Sequence, residues 1–463
     1  MIIKIENQLI LSSLSEARLS EAIKEKLTFR NPAWEEAVRM GRWTGHIQKE
    51  LKFYRDIPGG LAIPRGLFRS IQLICSDIGE PVIIEDSRRT LPEIDFSFTG
   101  DLRDYQREAV AEVMDRGEAT LSAPTGAGKT VIALAIIAER KQSCLVIVHN
   151  KELLQQWIDR IETFLGIPAE DIGQIGGGKK TIGQQITIGI VNSIYPIAGE
   201  IKKHFGHIIV DECHRAPSRT FTEALTAFDA RFILGLSATP FRRDGLSSVI
   251  FWHCGPLVKI NPADVKATGA ILPATVTLRH TGFSPLTDPA DEYSRALQEL
   301  TENHQRTALI AADIAQEAKT GGGILLCLTD RKSHAESLFC ALQRHQQNSE
   351  ILTGDLSAGK RAEIVERLNA GKIKVLIATG QLIGEGFDCK GLSTLFFTTP
   401  ISYHGRVIQY LGRVLRPAAG KKQATVFDYI DAHGVFRAAA RKRKEIYLKN
   451  NWRIYEETKN LAA

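Results

Sequence analysis

The chain has 463 residues, 43% of them hydrophobic and 24% charged, with a net charge of +6. At about 150 residues per domain, that length predicts about three domains, each large enough to bury its own core. The composition excludes a disordered, collagen-like or disulfide-framework chain, and the mild basic excess permits a polyanionic partner without demonstrating one. The longest clean apolar run, Val131 to Ala138, falls far short of the ~18 residues that a membrane helix needs. The opening MIIKIENQLI carries Lys4 and Glu6 inside its apolar stretch, unlike a secretory signal. Seven cysteines stand singly with no CxxC pair. They indicate neither a zinc site nor a cysteine-ligated cluster, and they fit a reducing cytoplasm.

In chain order, residues 1–98 read as a small mixed α+β domain. MIIKI and QLILS are predicted strands, Ser15 to Lys26 a helix, Pro64 to Ile74 a second helix with proline near its first turn, and PVIIE a closing strand. This segment carries 14 Lys/Arg against 14 Asp/Glu, so the basic excess lies elsewhere. Residues 99–258 change pattern. The β-branched runs TLSAP, CLVIVHN, ITIGIV, HIIVDE and FILGLSA alternate with helical periods, which predicts a parallel sheet covered on both faces. The rhythm returns across 259–463 in GILLCLT, SEILTG, VLIATG, TLFFTT and ATVFDY. The fold class is therefore α/β, with two parallel-sheet domains in tandem behind the small N-terminal domain. Gly255, Pro256, Pro262, Gly269 and Pro273 mark a hinge. The tail from 435 has eight Lys/Arg against three Glu and reads as a solvated basic helix or a phosphate grip.

Ser122-Ala-Pro-Thr-Gly-Ala-Gly128-Lys129-Thr130 follows a predicted strand and opens an apolar helix, the context that makes a phosphate loop credible. Gly126 and Gly128 let backbone N–H groups surround phosphate oxygens, and the helix N-terminus adds a favourable dipole. Lys129 is placed to reach the β- and γ-phosphates and Thr130 to ligate Mg²⁺. Ala123 stands where the general pattern has glycine. Asp211 and Glu212 follow the run HIIV. Two carboxylates at a strand end suit hydrolysis of a magnesium nucleotide, Asp211 holding the metal and Glu212 orienting or deprotonating water.

With these residues quoted, the chain resembles the superfamily 2 helicases and translocases, through six motifs in order across 102–416. Asp104-Tyr105-Gln106 resembles the adenine-reading Q motif, and Ala123 is the residue this superfamily usually carries. Asp211-Glu212-Cys213-His214 matches motif II, and Ser237-Ala238-Thr239-Pro240 matches motif III. Thr379 with Gly384-Glu385-Gly386-Phe387-Asp388 matches motif V, and Gln409 through Arg416 matches motif VI. Phe241-Arg242-Arg243-Asp244-Gly245 resembles the XPB branch. Gly41-Arg42-Trp43-Thr44-Gly45, Pro64-Arg65-Gly66 and Gly176-Gly177-Gly178 resemble the UvsW group of T-even phages, which acts on branched DNA. The resemblance implies two tandem RecA-like domains and an ATP-dependent motor using ATP and Mg²⁺. It implies an ATP-binding set of Arg103, Gln106, Pro124, Thr125, Gly126, Ala127, Gly128, Lys129, Thr130, Gly386 and Asp388. Lys129, Asp211, Glu212, Gln409, Arg413 and Arg416 are the implied catalytic residues, with His214, Ser237 and Thr239 coupling hydrolysis to movement.

For nucleic acid, the resemblance implies backbone contacts from His149, Asn150, Lys151, Asn192, Ser193 and Thr379, which would be indifferent to base sequence. Arg42 and Trp43 lie in a stretch, Arg39 to Arg55, that interleaves basic and aromatic residues able to stack on or cradle DNA. A half-exposed domain face with Trp43 in a local core is the alternative. DNA is the expected partner. An RNA helicase, a nucleotide-gated binding module and a motor subunit of a repair or defence assembly are the rival functions.

Overall fold

The computed structural model describes residues 1–13, 17–215, 219–241, 244–380, 383, 389 and 391–457. The chain divides into two compact units, one from residues 1–123 and 128–260, the other from 124–127 and residue 261 onward. The segments 1–98 and 99–258, expected as separate domains, thus share the first unit.

The N-terminal sheet is ordered Arg55–Ile57, Gly60–Ile63, Leu9–Ser12, Ile2–Ile5 and Ile83–Asp86. Its pairs are antiparallel except for the last, which is parallel. Alternation sends Ile3, Ile5, Leu9 and Leu11 inward, against Ile23 and Leu27 on one side of the chain and Ile71 and Cys75 on helix Phe68–Asp77. That helix starts later than expected, because Arg65–Leu67 forms a 3₁₀ turn after Pro64. Helix Pro32–Arg39, capped by Asn31, was not foreseen; its N1 proline is the usual position for a missing N–H.

The N-terminal core does not close on itself. Leu246, Val249 and Trp252 from the far end of the unit complete it, and Trp252 packs against Phe29 and Phe53 with ring centroids 5.4 and 5.7 Å away. A side chain at Gly66 would run into the backbone oxygens of Phe251 and Trp252, so only glycine allows this approach. Beside it Arg65 Nε donates to Glu118 at 2.5 Å, with the two side chains 2% and 9% exposed. Glu118 opens the strand that leads into the phosphate loop. A strap from 86 to 99 adds a bidentate Arg89–Asp229 pair and a two-way exchange between Gln142 and the Leu91 backbone.

The larger sheet of this unit is ordered Lys179–Lys180, Gly173–Gly176, Ile186–Ile190, Cys144–Val148, His207–Asp211, Phe232–Ser237, Glu118–Ser122 and Leu257–Lys259. Every pair is parallel except the first. The five expected runs are its five central strands. They are buried on both faces, which is why they read as continuous apolar runs. The second unit has a seven-stranded, wholly parallel sheet: Ser349–Leu352, Val375–Thr379, Ile324–Thr329, Leu392–Phe397, Ala424–Ile430, Ala274–His280 and Arg453–Glu457.

Two readings change here. Ala274–His280, beside the expected hinge, is an interior strand. The tail is helix Gly434–Lys449 followed by an edge strand. On that helix Arg443 is not a phosphate grip. It is buried, with Nη2 2.5 Å from Asp428, whose other oxygen accepts from Tyr447. Arg437, Arg441, Lys442 and Lys449 remain exposed.

The Arg65–Glu118 pair yields a stability test. Arg65→Ala leaves a buried carboxylate without its guanidinium, and breaking such a pair costs about 3–5 kcal/mol. Urea unfolding should show that loss; a change under about 1 kcal/mol would mean that Glu118 is solvated or held by Arg88.

Candidate functional site

Parallel strands place their carboxyl ends at one edge, and the residues singled out in the first unit gather there. Lys129 begins helix Lys129–Arg140, whose N-cap Gly128 has φ of 82°. Gly126 has φ of 91°. Both angles are left-handed, and a β-carbon at Gly128 would lie 2.5 Å from Gln106 Nε2. Gly126 is therefore required by backbone conformation, and Gly128 both by conformation and by the Q-motif side chain beside it. Gln106 is buried, and its Oε1 accepts from Arg103 N at 2.9 Å, fixing the start of helix Asp104–Met114.

Motif II follows strand His207–Asp211. Asp211 is 8% exposed; its Oδ2 accepts from Trp157 Nε1 at 3.0 Å and its Oδ1 from Glu212 N at 2.9 Å. Burial, then the neighbouring Glu212 charge, pushes the Asp211 pKa up, opposed by Lys129 and the Trp157 bond. A buried carboxylate so placed favours a nearby cation. Trp157 was not singled out in the sequence, since nothing local links it to Asp211.

Glu212 has φ of 50°, rare for a residue with a β-carbon. That turn aims its carboxylate back over the loop: Oε1 lies 3.8 Å from Lys129 Nζ, and Oε2 lies 3.2 Å from His214 Nδ1. The same His214 nitrogen is 3.2 Å from Ser237 Oγ, which accepts from Thr239 N at 3.1 Å. Lys129, Glu212, His214, Ser237 and Thr239 thus form one connected series. The left-handed glycines, the helix start at Lys129, the Thr130 hydroxyl at N2 and the cation-seeking Asp211 together fit a magnesium nucleotide.

The expected nucleic-acid residues are arranged less uniformly. His149 stacks on Phe221 with centroids 5.7 Å apart, and its ring hydrogen-bonds to the Glu212 backbone. Burial, with Arg215 and His214 adding, pulls its pKa down to about 4, so the ring is neutral. Asn150 caps helix Lys151–Leu165 by accepting from Leu153 N at 2.8 Å. Lys151 is exposed and crosses Gly177 in a loop where Gly176, Gly177 and Gly178 all have positive φ. Asn192 is exposed and Ser193 half-buried on the turn Val191–Ile194. Trp43 is 75% exposed and stacks on His46 at 5.1 Å, beside exposed Arg42; it belongs to no local core.

In the second unit, Thr379 ends strand Val375–Thr379, while Gln409 and Arg413 lie on helix His404–Val414, with Arg416 just beyond it. Tyr410 on that helix is buried, its hydroxyl 2.4 Å from where a Gly380 side chain would start. Motif VI therefore braces the beginning of motif V. Gly386 and Asp388, with Arg242 and Arg243, lie outside the described residues.

Residues 99–242 match the family model described as type III restriction enzyme, res subunit, and residues 305–418 match the helicase conserved C-terminal domain. The chain is similar to the DNA 3'-5' translocase XPB2 of Sulfurisphaera tokodaii, 27% identical over 379 residues, covering 74% of this chain and 85% of that one. It is also similar to the ATP-dependent DNA helicase uvsW of Enterobacteria phage T4, 23% identical over 445 residues, covering 89% and 86%. Among solved structures, the fragment of a putative HsdR subunit of a type I restriction enzyme from Vibrio vulnificus is similar, with a TM-score of 0.59 and 18% identity. That likeness covers 84% of this chain and 73% of the fragment and shows the fold alone, in keeping with tandem RecA-like sheets. No helix among the described residues is long and apolar enough to cross a membrane. With these two family models matched in order along the chain, it belongs to the superfamily 2 helicases and translocases of the XPB and UvsW type.

Proposed function

We propose that this ATP-dependent motor acts on branched or duplex DNA, with hydrolysis driving its two parallel-sheet units against each other. The observation that supports it most is the connected series from Lys129 through Glu212 and His214 to Ser237. It ties a phosphate-binding lysine to the end of the motif III strand. Lys129 would neutralise the β/γ charge, and Asp211 with Thr130 would hold Mg²⁺, which supplies charge neutralisation on the transferring phosphoryl group. Glu212 would orient the attacking water and take its proton. Arg413, in the last turn of its helix, and Arg416, just beyond it, would add positive charge to the transition state, with Gln409 one turn before Arg413. Gln106 and Arg103 would read the adenine end. Gly386 and Asp388 are assigned to the nucleotide by the motif alone.

Nucleic acid would be held through its phosphates by Lys151, Asn192, Ser193, Thr379 and the exposed basic face of the tail helix, so binding would be salt-dependent and indifferent to sequence. ATPase rates measured with single-stranded DNA, duplex, fork, four-way junction and RNA test the reading. Stimulation by DNA, strongest with branched forms, is expected; stimulation by RNA alone would replace DNA with RNA as the partner.

Lys129→Ala is expected to reduce kcat below a tenth of wild type, a loss exceeding ~1.4 kcal/mol of transition-state stabilisation. Glu212→Gln is expected to retain nucleotide affinity in an equilibrium titration while single-turnover hydrolysis stops. Lost affinity with normal chemistry would reverse the two carboxylate roles.

Arg413→Ala and Arg416→Ala are each expected to lower turnover by about 10³-fold or more, with nucleotide affinity little changed, as for fingers acting in the transition state. A steady-state assay beside a binding titration separates the two effects. Equal losses in affinity and turnover would make them ground-state binding groups.

Trp157→Phe removes one donor from Asp211, whose pKa is already raised by burial and Glu212. Loss of a hydrogen bond to a charged group costs about 1.5–3 kcal/mol, so the Asp211 carboxyl is pushed further up. Asp211 would then protonate at higher pH, so magnesium-nucleotide affinity should fall earlier as pH is lowered, with wild-type affinity approached at alkaline pH. Superimposable pH profiles would show that Trp157 does not tune the carboxylate.

A further inference from the structure

Within the first unit, a cleft of about 420 Å³ lies between the N-terminal sheet and helix Arg219–Thr226. Its lining includes Gln8, Lys52, Tyr54 and Arg55 on one side, Glu223 on the other, and His253. The volume falls within the range of small-ligand sites, roughly 300–1,000 Å³. Lys52 and Arg55 are exposed and Tyr54 half-buried. The Tyr54 ring already has a cation near its face, Lys24 Nζ at 5.7 Å, which Asp56 holds at 2.6 Å. His253 is buried; its Nδ1 bonds to the Val249 carbonyl at 2.9 Å, and burial lowers its pKa. The ring is therefore neutral, with Nε2 left as an acceptor.

The helix that forms the far wall also touches the segments expected to grip nucleic acid. Its Phe221 stacks on His149, and its Glu223 accepts from Tyr195 Oη at 2.5 Å, two residues beyond Ser193. The cleft and the expected phosphate contacts thus flank one short helix. The ATP site uses none of the cleft's side chains.

We propose that this cleft receives one unpaired nucleotide of a DNA strand. Its phosphates would lie at Lys52 and Arg55, its base against Tyr54, and its base edge toward the acceptors of His253 and Glu223. The placement follows from charge: the carboxylate repels phosphate, so the backbone keeps to the cationic end. Stacking accepts any base, since every base has a π-face. A paired base would first have to leave its helix, a cost already absent where strands separate. The cleft therefore distinguishes a branch from continuous duplex by local fit. It does so although residues 1–98 balance 14 basic against 14 acidic side chains and exert little long-range attraction.

The proposal rests on the DNA reading above, and the experiment separates the two. Full-length protein is bound to a fork carrying 5-iododeoxyuridine at the first unpaired position of one arm, irradiated, and mapped by peptide mass spectrometry. The expected adduct is on Tyr54 or its immediate neighbours. Lys52→Ala with Arg55→Ala should reduce the slope of log affinity against log salt by about 1.4, the value for two single-strand phosphate contacts. Gln8→Trp fills the cleft without removing a charge. It should lower fork affinity at least about fivefold, the low end of a lost base stack, while duplex affinity and thermal melting stay as in wild type. Adducts elsewhere together with unchanged fork affinity in Gln8→Trp would overturn the proposal, as would competition by free deoxynucleoside monophosphate without any adduct. If no DNA stimulates the wild-type ATPase, the DNA reading itself fails and the cleft proposal falls with it. Stimulation with unaffected cleft variants removes only the cleft.

Discussion

Asp211 is a carboxylate almost out of reach of water, with an indole N–H and one backbone N–H as its recorded donors. Burial alone would drive it toward the neutral form. The protein nevertheless places a second carboxylate next in the chain, and both lie at the edge where Lys129 points. The nearest lysine is 3.8 Å from Glu212, too long for a tight pair. Two adjacent carboxylates beside a phosphate-loop lysine give a place where a cation is favoured. Its geometry is enforced by backbone: Gly126, Gly128 and Glu212 all occupy left-handed conformations just beyond two strands of the sheet that flank Phe232–Ser237. The glycines adopt theirs freely. Glu212 does so against its β-carbon, held by neighbours that include the His149 ring and its own bond into Asp211.

The N-terminal segment changes meaning once its core is traced. Read from the sequence, residues 1–98 form a separate small domain. Trp252, Val249 and Leu246 instead complete its core, and Arg65 neutralises Glu118 at the root of the phosphate-loop strand. The loop strand therefore starts from an ion pair supplied by the N-terminal segment. Removing that segment would expose a tryptophan and strand a buried carboxylate, so surface substitutions test what it binds more cleanly than truncation does.

Much of the nucleotide site was legible because its chemistry is local. A phosphate loop, two adjacent carboxylates and a Ser-Ala-Thr turn each occupy a few consecutive residues, and the buried parallel strands around them read as apolar runs. Partners far apart in the chain were not legible: Trp157 and Asp211 are separated by 54 residues, Arg65 and Glu118 by 53. Ala274–His280 was missed because ATVTLRH mixes polar and apolar residues beside a proline-rich stretch. Arg443 was hidden among Arg441, Lys442 and Lys444, although a signal existed. Phe436, Ala439, Ala440, Arg443, Ile446 and Tyr447 follow helical spacing, and that buried face includes the arginine.

His149 shows how a motif residue's side chain can be committed to the interior while its expected contact is a backbone one. Its position between strand Cys144–Val148 and helix Lys151–Leu165 puts its backbone where a phosphate contact is expected. Its side chain is committed inward, to Phe221 and the Glu212 backbone. Any displacement of this segment by a bound strand would reach the strained Glu212 turn through that hydrogen bond. The same Phe221 sits on the helix that walls the proposed nucleotide cleft. A strand in that cleft and one on the His149 segment would therefore meet at the same short helix, through Phe221.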